Sequence, residues 1–217
     1  MFRLPALRDP RHHDTNAAGG KDMGDLPSWD LSDLYTAPDA PGLTRDLDWL
    51  DDACAGFARD YEGKLAALDA AGMLACVHRY EEIDITAGRL MSYAGLRYYQ
   101  NTTDSERAKF MADVQDRVTV ATTPLVFFTL EINRIEDAAL DALFADDGAL
   151  ARYRPIFERM RAMRPHQLSD ELERFLHDQS TVGAAAWNRL FDETMAGLTF
   201  EVTGEEDPLP LEATLNL

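Results

Sequence analysis

The chain has 217 residues, and its 39 Asp and Glu residues outnumber its 21 Lys and Arg residues, for a formal net charge of −18. This balance argues against nucleic acid and anionic membranes as partners, because both are bound mainly through Lys and Arg. Hydrophobic residues make up 46% of the chain, which is too many for a disordered acidic tail, so the sequence predicts a folded protein.

The first 25 residues have the composition of a disordered tail, with prolines, glycines and mixed charges but no apolar run. A secretory signal needs an apolar stretch of roughly 7–15 residues, so we expect a cytoplasmic protein. The two cysteines fit that expectation. Cys54 and Cys76 both lie at helical spacing among apolar residues, which predicts reduced core side chains rather than a disulfide.

Order is predicted to begin at residues 26–35, where four large side chains would anchor an irregular segment: Trp29, Leu31, Leu34 and Tyr35. A helix is predicted over 43–61, because its apolar residues recur at steps of three and four while aspartates occupy the other face. Gly63 provides the expected stop.

Two long helices follow, and they are predicted to pair as an antiparallel hairpin. The first runs from about Asp69 to Gln100, and the second begins at Asp104 or Ser105 and carries apolar residues as far as Phe128. Pro124 lies within the second pattern, and because the pattern continues on both sides we expect a kink there rather than an end.

Four shorter helices are predicted in the second half of the chain: 136–144, 150–163, one capped by Ser169, and 181–197. The last two are amphipathic, and their apolar sides are expected to be buried. Those sides consist of Leu172, Phe175 and Leu176 in the first, and of Trp187, Leu190, Phe191 and Met195 in the second.

After Gly197 the periodicity changes from helical to alternating. Residues 198–203 alternate apolar and polar side chains, a turn-like acidic stretch follows, and 208–211 can return as an edge strand. Leu211 and Leu215 have the spacing of a first helical turn whose continuation is not in the sequence. The predicted fold is all-α, with long antiparallel helices and a short β-hairpin near the C-terminus.

A metal site is the first candidate chemistry, given the many carboxylates. No HExxH motif occurs, and the His12-His13 pair lies in the predicted tail. The nearest approach is His78 with Glu81, where Glu82 stands in place of the second histidine of an inverted HxxEH motif. The buried stripe of this helix turns both glutamates outward, which favours a solvated face over a metal site.

Other catalytic patterns are absent from the sequence: it has no GxSxG, no glycine-rich phosphate loop and no cysteine beside a base. Tyr98-Tyr99 beside Gln100-Asn101 could line a groove, although aromatic residues at helical spacing more often belong to a core. The loop Arg164–Leu168 could contact a ligand carboxylate, or it could bond helix-end carbonyls and set the angle between two helices, which we favour. No catalytic or metal-binding residue is assigned.

Three segments resemble the oligoendopeptidase F family, the zinc oligopeptidases related to thimet oligopeptidase. The first is Trp29-Asp30-Leu31-Ser32-Asp33-Leu34-Tyr35, the second extends from Arg152-Tyr153-Arg154-Pro155 through Pro165-His166-Gln167-Leu168-Ser169, and the third is Ala186–Thr194. The resemblance covers about residues 26–217 and follows the order of the family.

The resemblance implies a helical N-terminal region that walls a deep channel for short peptides, followed by a catalytic region that binds zinc through HExxH and a later Glu. None of those ligands occurs here. We therefore expect 26–197 to be the N-terminal helical domain and 198–217 to begin the catalytic region, with zinc bound outside this chain. Short peptides and its own catalytic domain are the expected partners, and the segment alone is expected to be inactive. The alternatives are a stand-alone peptide-binding or regulatory module and an acidic helical interaction protein.

Overall fold

The computed structural model describes residues 29–217, so the predicted tail and its His12-His13 pair lie outside the described residues. Helices dominate, in the order α1 Pro41–Tyr61, α2 Ala70–Tyr99, α3 Ser105–Thr122, α4 Val126–Arg134, α5 Asp137–Asp146, α6 Arg154–Ala162, α7 Asp170–Asp178, α8 Ala184–Gly197 and α9 Leu211–Leu215. Two short strands, β1 Thr199–Phe200 and β2 Leu209–Pro210, pair antiparallel before α9. The all-α class with a small C-terminal hairpin is confirmed. Within the described range, no helix is both long and apolar enough to cross a membrane.

The first three helices begin where local chemistry predicts. α1 has Pro41 at its first position, where the missing N–H costs nothing. α2 is capped by Asp69, which accepts from the Gly72 N–H at 2.7 Å, and α3 is capped in the same way by Asp104. After α1 the chain turns at Gly63, whose φ of 77° is disfavoured for residues with a side chain.

Pro124 ends the third helix, and the expected kink within one continuous helix is wrong. α3 stops at Thr122, a single 3₁₀ turn spans Thr123–Leu125, and α4 starts afresh. Proline has no N–H to donate, and its ring clashes with the carbonyl four residues earlier. The Thr122 and Thr123 hydroxyls bond back to carbonyls of the last turn of α3, at 2.8 and 2.9 Å, which stabilises the break.

The core lies among α1, α2, α3 and α4, with α5 and α6 extending it at one side. Its centre is aromatic: Tyr80 stacks on Phe128 with ring centroids 4.3 Å apart, and Phe57 meets Phe128 edge-on at 5.8 Å. Phe144 and Phe157 pack edge-to-face where α5 meets α6. The apolar stripes predicted for α1 and α2 therefore point into one shared core.

The segment before α1 is held by Tyr35 rather than by Trp29. Trp29 is largely exposed, so its predicted anchoring role is wrong, while Tyr35 is buried. The Tyr35 hydroxyl donates to Asp46 at 2.8 Å, and the Arg89 guanidinium lies over its ring at 4.7 Å. Trp29 lies at the edge of the described segment, where no described residue covers it.

The expected burial of α7 and α8 is also wrong. Between positions 158 and 217, all of them described, Thr181 is the only buried residue. The predicted buried sides are at least half exposed, apart from Met195, which is partly covered. Helical periodicity shows that an apolar side exists, but it cannot show what covers that side.

Two predicted elements are present but shorter. The predicted helix 150–163 is a 3₁₀ turn followed by α6, because Pro155 can stand only in the first turn of an α-helix. The hairpin pairs two residues on each strand instead of spanning 198–203 and 208–211. Pro210 has no N–H for the ladder, which limits the pairing.

Candidate functional site

A cleft of about 780 Å³ is lined by α2, the α3–α4 turn, α4, α7 and the loop 163–168. We call it the α2–α7 cleft. Its apolar wall includes Ile83, Ala87, Leu125, Leu130 and Leu176, and its polar side chains include Asp84, Asn133, His166, Gln167, Glu173 and His177. A concave surface that combines an apolar wall with a few polar groups has the composition of a ligand site.

An amide pair lies on one side of this cleft. Asn133 Nδ2 donates to Gln167 Oε1 at 3.0 Å. Asn133 is only 3% exposed, and its Oδ1 accepts no hydrogen bond from the described residues. An enclosed acceptor without a donor costs about 1–3 kcal/mol, so this oxygen is a preferred partner for an incoming N–H group.

The loop Arg164–Leu168, singled out in the sequence, contributes to the cleft and to the packing beneath it. Gln167 contacts α4 through Asn133 instead of contacting a helix-end carbonyl. The Leu168 N–H donates to Glu173 Oε1 at 2.8 Å, and Arg164 lies 3.8 Å from Asp137. The loop bonds a helix-end carbonyl through its backbone, since the His166 N–H donates to the Met163 carbonyl at the end of α6 at 2.9 Å. Arg161, just before the loop, donates to the Ile132 carbonyl in the last turn of α4 at 2.6 Å.

Polar contacts, rather than apolar ones, fasten α7 to the rest of the molecule. Ion pairs join Arg134 to Asp170 and Arg174 to Glu62. The hydrogen bond from Arg134 lowers the pKa of Asp170, because the guanidinium favours the charged carboxylate. His177 Nε2 lies 3.1 Å from Thr122 Oγ1 and 3.2 Å from the Thr119 carbonyl, at the end of α3. His177 Nε2 therefore contacts polar groups at the C-terminal end of α3.

The cleft carries negative charge without a matching cation of its own. Asp84 on α2 and Glu173 on α7 both line it, and its lining contains no Lys or Arg among the residues that the structure describes. Glu173 is held in place by the Leu168 N–H through one carboxylate oxygen. The cleft therefore favours a neutral or positively charged ligand.

In the His78–Glu81 pair, the glutamate carboxylate is engaged in a hydrogen bond within the fold. Glu81 Oε2 accepts from the Tyr153 hydroxyl at 2.6 Å, while Glu82 is exposed. In the described part of the chain, no group of three or more His, Cys, Asp or Glu side chains is arranged to hold a metal ion. Those residues do not fit a zinc site of the kind that the resemblance implies.

The remaining candidates divide between core and surface. Tyr98 is buried and Tyr99 is mostly exposed, so the pair contributes one core ring and one surface ring. Cys54 and Cys76 are buried free thiols, as expected. Burial raises the pKa of each to about 12, which makes them poor nucleophiles.

A second surface feature is the set of exposed apolar side chains on α7, α8 and the turn between them, which we call the α7–α8 apolar set: Leu172, Phe175, Leu176, Val182, Trp187, Leu190 and Phe191. Trp187 is 70% exposed and Phe191 is 64% exposed. Scattered apolar side chains are normal on a surface, but such a concentration on two successive helices marks an interaction surface.

Three comparisons with known proteins agree with one another. A family model described as Oligopeptidase F matches residues 131–200. Oligopeptidase PepF of Bacillus subtilis (strain 168) is 26% identical over 181 residues, which is 83% of this chain and 26% of the relative. The crystal structure of oligoendopeptidase-F from Enterococcus faecium has a TM-score of 0.66 at 19% identity, over 81% of this chain and 33% of that one.

The match to the solved structure establishes a similar fold, and the chain spans about a quarter of the length of its curated relative. The family-model match runs from Glu131, at the centre of α4, to Phe200 in β1. It therefore includes Asn133, the loop of the cleft and the whole α7–α8 apolar set. The resemblance read from the sequence is confirmed: the chain is similar to the N-terminal region of the oligoendopeptidase F family.

Proposed function

We propose that this chain forms the N-terminal helical part of a zinc-dependent oligoendopeptidase that hydrolyses short peptides, with the catalytic residues outside these 217 residues. Residues 26–197 would be the helical domain, and 198–217 would lead into the catalytic region. The observation that carries the proposal is the α7–α8 apolar set, which falls within the part that the family model matches. Because the matched relatives are roughly two and a half to three times as long as this chain, they contain enough additional chain to cover this surface.

The helices would serve as one wall of the substrate channel. α4 and α7 lie against each other and carry the α2–α7 cleft, so a catalytic region seated on the α7–α8 apolar set would enclose space beside the cleft. The zinc ion, held by a HExxH motif in that region, would supply Lewis-acid activation of water. This chain would bind and orient the peptide in the cytoplasm.

The first test is activity. The purified chain is expected to leave a quenched fluorescent peptide intact with or without added zinc, because the described residues provide no metal site. A longer protein containing the catalytic region is expected to cleave the same peptide and to lose that activity with a chelator. Chelator-sensitive cleavage by the 217-residue chain would refute this division of labour.

The second test is coverage of the exposed surface. Joining the chain to the catalytic region is expected to raise its melting temperature and to reduce its binding of a hydrophobic dye, because apolar area leaves water. Introducing Asp at Trp187 or Phe191 should abolish that gain. The same gain in melting temperature with both variants would show that the α7–α8 apolar set is not the contact surface.

The reading frame downstream of Leu217 gives an independent check. If it lacks a HExxH motif, a stand-alone binding module would be favoured.

A further inference from the structure

We propose that the α2–α7 cleft is a peptide-binding site that recognises a main-chain amide and prefers a ligand bearing a positive charge. The inference deepens the proposed function by giving this region its own ligand preference, and it rests on that function only in the choice of peptides as the ligand class. The lining residues on which it is argued all belong to this chain, so it can be tested without the catalytic region.

Recognition of the main chain follows from the amide pair. One N–H of Asn133 Nδ2 is committed to Gln167 Oε1, so the pair keeps an acceptor at Asn133 Oδ1 and further N–H donors on both amide nitrogens, without other partners among the described residues. A peptide group presents the complementary combination of one N–H donor and one carbonyl acceptor. Asn133 lines the cleft but its Oδ1 is enclosed, so a ligand N–H reaches this oxygen when neighbouring side chains of the cleft move aside.

Charge preference follows from the two carboxylates. Asp84 and Glu173 line the cleft from two different helices, α2 and α7, and the basic side chains among the described lining residues are His166 and His177, with no Lys or Arg. The hydrogen bond from the Leu168 N–H holds Glu173 in position. A ligand ammonium or guanidinium would be attracted to this pair, and a ligand carboxylate would be repelled.

The apolar wall supplies the remaining contact. Ile83, Leu130 and Leu176 come from three different helices and border the same space. An aliphatic side chain next to the recognised peptide group would lose water-exposed area against them. The ligand expected from all three features is a short peptide that combines aliphatic residues with Lys or Arg.

Two matched probes test the inference on the 217-residue chain. Both are capped pentapeptides of Ala and Leu, one with a central Lys and the other with a central Glu, titrated into ¹⁵N-labelled protein at pH 8. The Lys probe is expected to bind about tenfold more tightly than the Glu probe, because only the Glu probe places like charges together. Chemical-shift changes should centre on Asn133, Gln167 and their neighbours.

Substitutions distinguish binding in the cleft from nonspecific attraction to the net negative charge of the chain. Asp84→Asn should weaken binding of the Lys probe about threefold. Glu82→Gln is the matched control, since Glu82 is exposed on the same helix, carries the same charge and is not part of the cleft. It should leave binding unchanged. Gln167→Leu should weaken both probes about fivefold, because it removes the amide donor.

Any one of three results would overturn the inference. They are equal binding of the two probes, equal effects of Asp84→Asn and Glu82→Gln on binding, and no chemical-shift change near Asn133 at millimolar concentrations of the probes. Asp84 is exposed, so the Asp84→Asn variant is expected to fold. It therefore tests the inference even if the Gln167→Leu variant is unstable. Failure here would leave the proposed peptidase role standing. Conversely, a reading frame without a HExxH motif downstream of Leu217 would refute that role and leave the ligand preference of the cleft standing.

Discussion

Tyr35 links the segment before α1 to two helices through one side chain. Its hydroxyl donates to Asp46 on α1, and its ring receives the Arg89 guanidinium from α2. Burial and the hydrogen bond to Asp46 raise the pKa of Tyr35, so the phenol remains a donor through the physiological range. The sequence predicted an anchor here but could not distinguish Tyr35 from Trp29, because both are large and aromatic.

Removing that hydroxyl should therefore be measurable. Tyr35→Phe is expected to lower the free energy of unfolding by about 1 kcal/mol, since Asp46 loses a hydrogen bond while the ring stays packed. Tyr99→Phe is the matched control, because the Tyr99 side chain is mostly exposed, and it should change stability by less than about 0.5 kcal/mol. Urea unfolding measures both variants, and equal effects would contradict the anchoring role.

The buried cysteines predict how stability depends on alkaline pH. In the folded chain the pKa of Cys54 and of Cys76 is raised from 9.0 to about 12. The unfolded chain therefore loses thiol protons at lower pH than the folded chain does. Their contribution to stability is complete below pH 9 and is lost progressively as pH rises from 9 to 12.

The expected result is a free energy of unfolding that falls above pH 9, and a smaller fall in a Cys54→Ala, Cys76→Ala double variant. Thiol titration gives a second readout: both thiols should react slowly at pH 8 in the folded chain and rapidly in urea. Fast labelling of the folded chain would mean that these side chains are accessible.

At the scale of elements, amphipathic helices of similar pattern behave differently in different parts of the fold. Phe157 on α6 is buried against Phe144, whereas Phe191 on α8 is mostly exposed. Both lie at helical apolar spacing in the sequence. What separates them is whether another element lies opposite, and that depends on residues far away in the chain.

These two phenylalanines should respond very differently to substitution. Phe157→Ala is expected to cost about 3–5 kcal/mol in unfolding free energy, because it leaves a cavity in the core. Phe191→Ser is expected to change stability by less than about 0.5 kcal/mol in the chain alone and to improve its solubility. Chemical unfolding measures both, and a large cost at Phe191 would show that α8 is covered in solution.

Helix starts were the most predictable features. Asp104 and Ser169 cap helices as expected, and Asp69 caps the helix predicted to start near it, because a capping side chain needs only backbone N–H groups two or three residues away. Pro124 was harder to interpret. The apolar pattern continues past it, but only the backbone shows that the helix stops and restarts there.

At the scale of the whole molecule, stability should decline along the chain. Nearly all buried side chains lie between Tyr35 and Phe157, while residues 158–217 are fastened mainly by ion pairs and hydrogen bonds at the surface. Surface ion pairs contribute little, because water screens them. Local opening should therefore begin in the C-terminal part.

Hydrogen exchange followed by mass spectrometry measures this gradient. Peptides from α7, α8 and α9 are expected to exchange faster than peptides from α2, and attachment of a catalytic region should slow exchange in α7 and α8 specifically. Equal protection of α2 and α8 in the chain alone would show that the C-terminal part is stabilised independently.

By itself, the sequence determined the helical class, the positions of the caps, the C-terminal hairpin and the resemblance to the oligoendopeptidase F family. Those features depend on neighbouring residues or on short motifs such as Trp29–Tyr35. The tertiary structure alone decided which apolar faces are covered and that Asn133 meets Gln167 beside Asp84. The physical reason is that burial and cleft formation depend on side chains brought together from distant positions, and no local periodicity records which elements will meet.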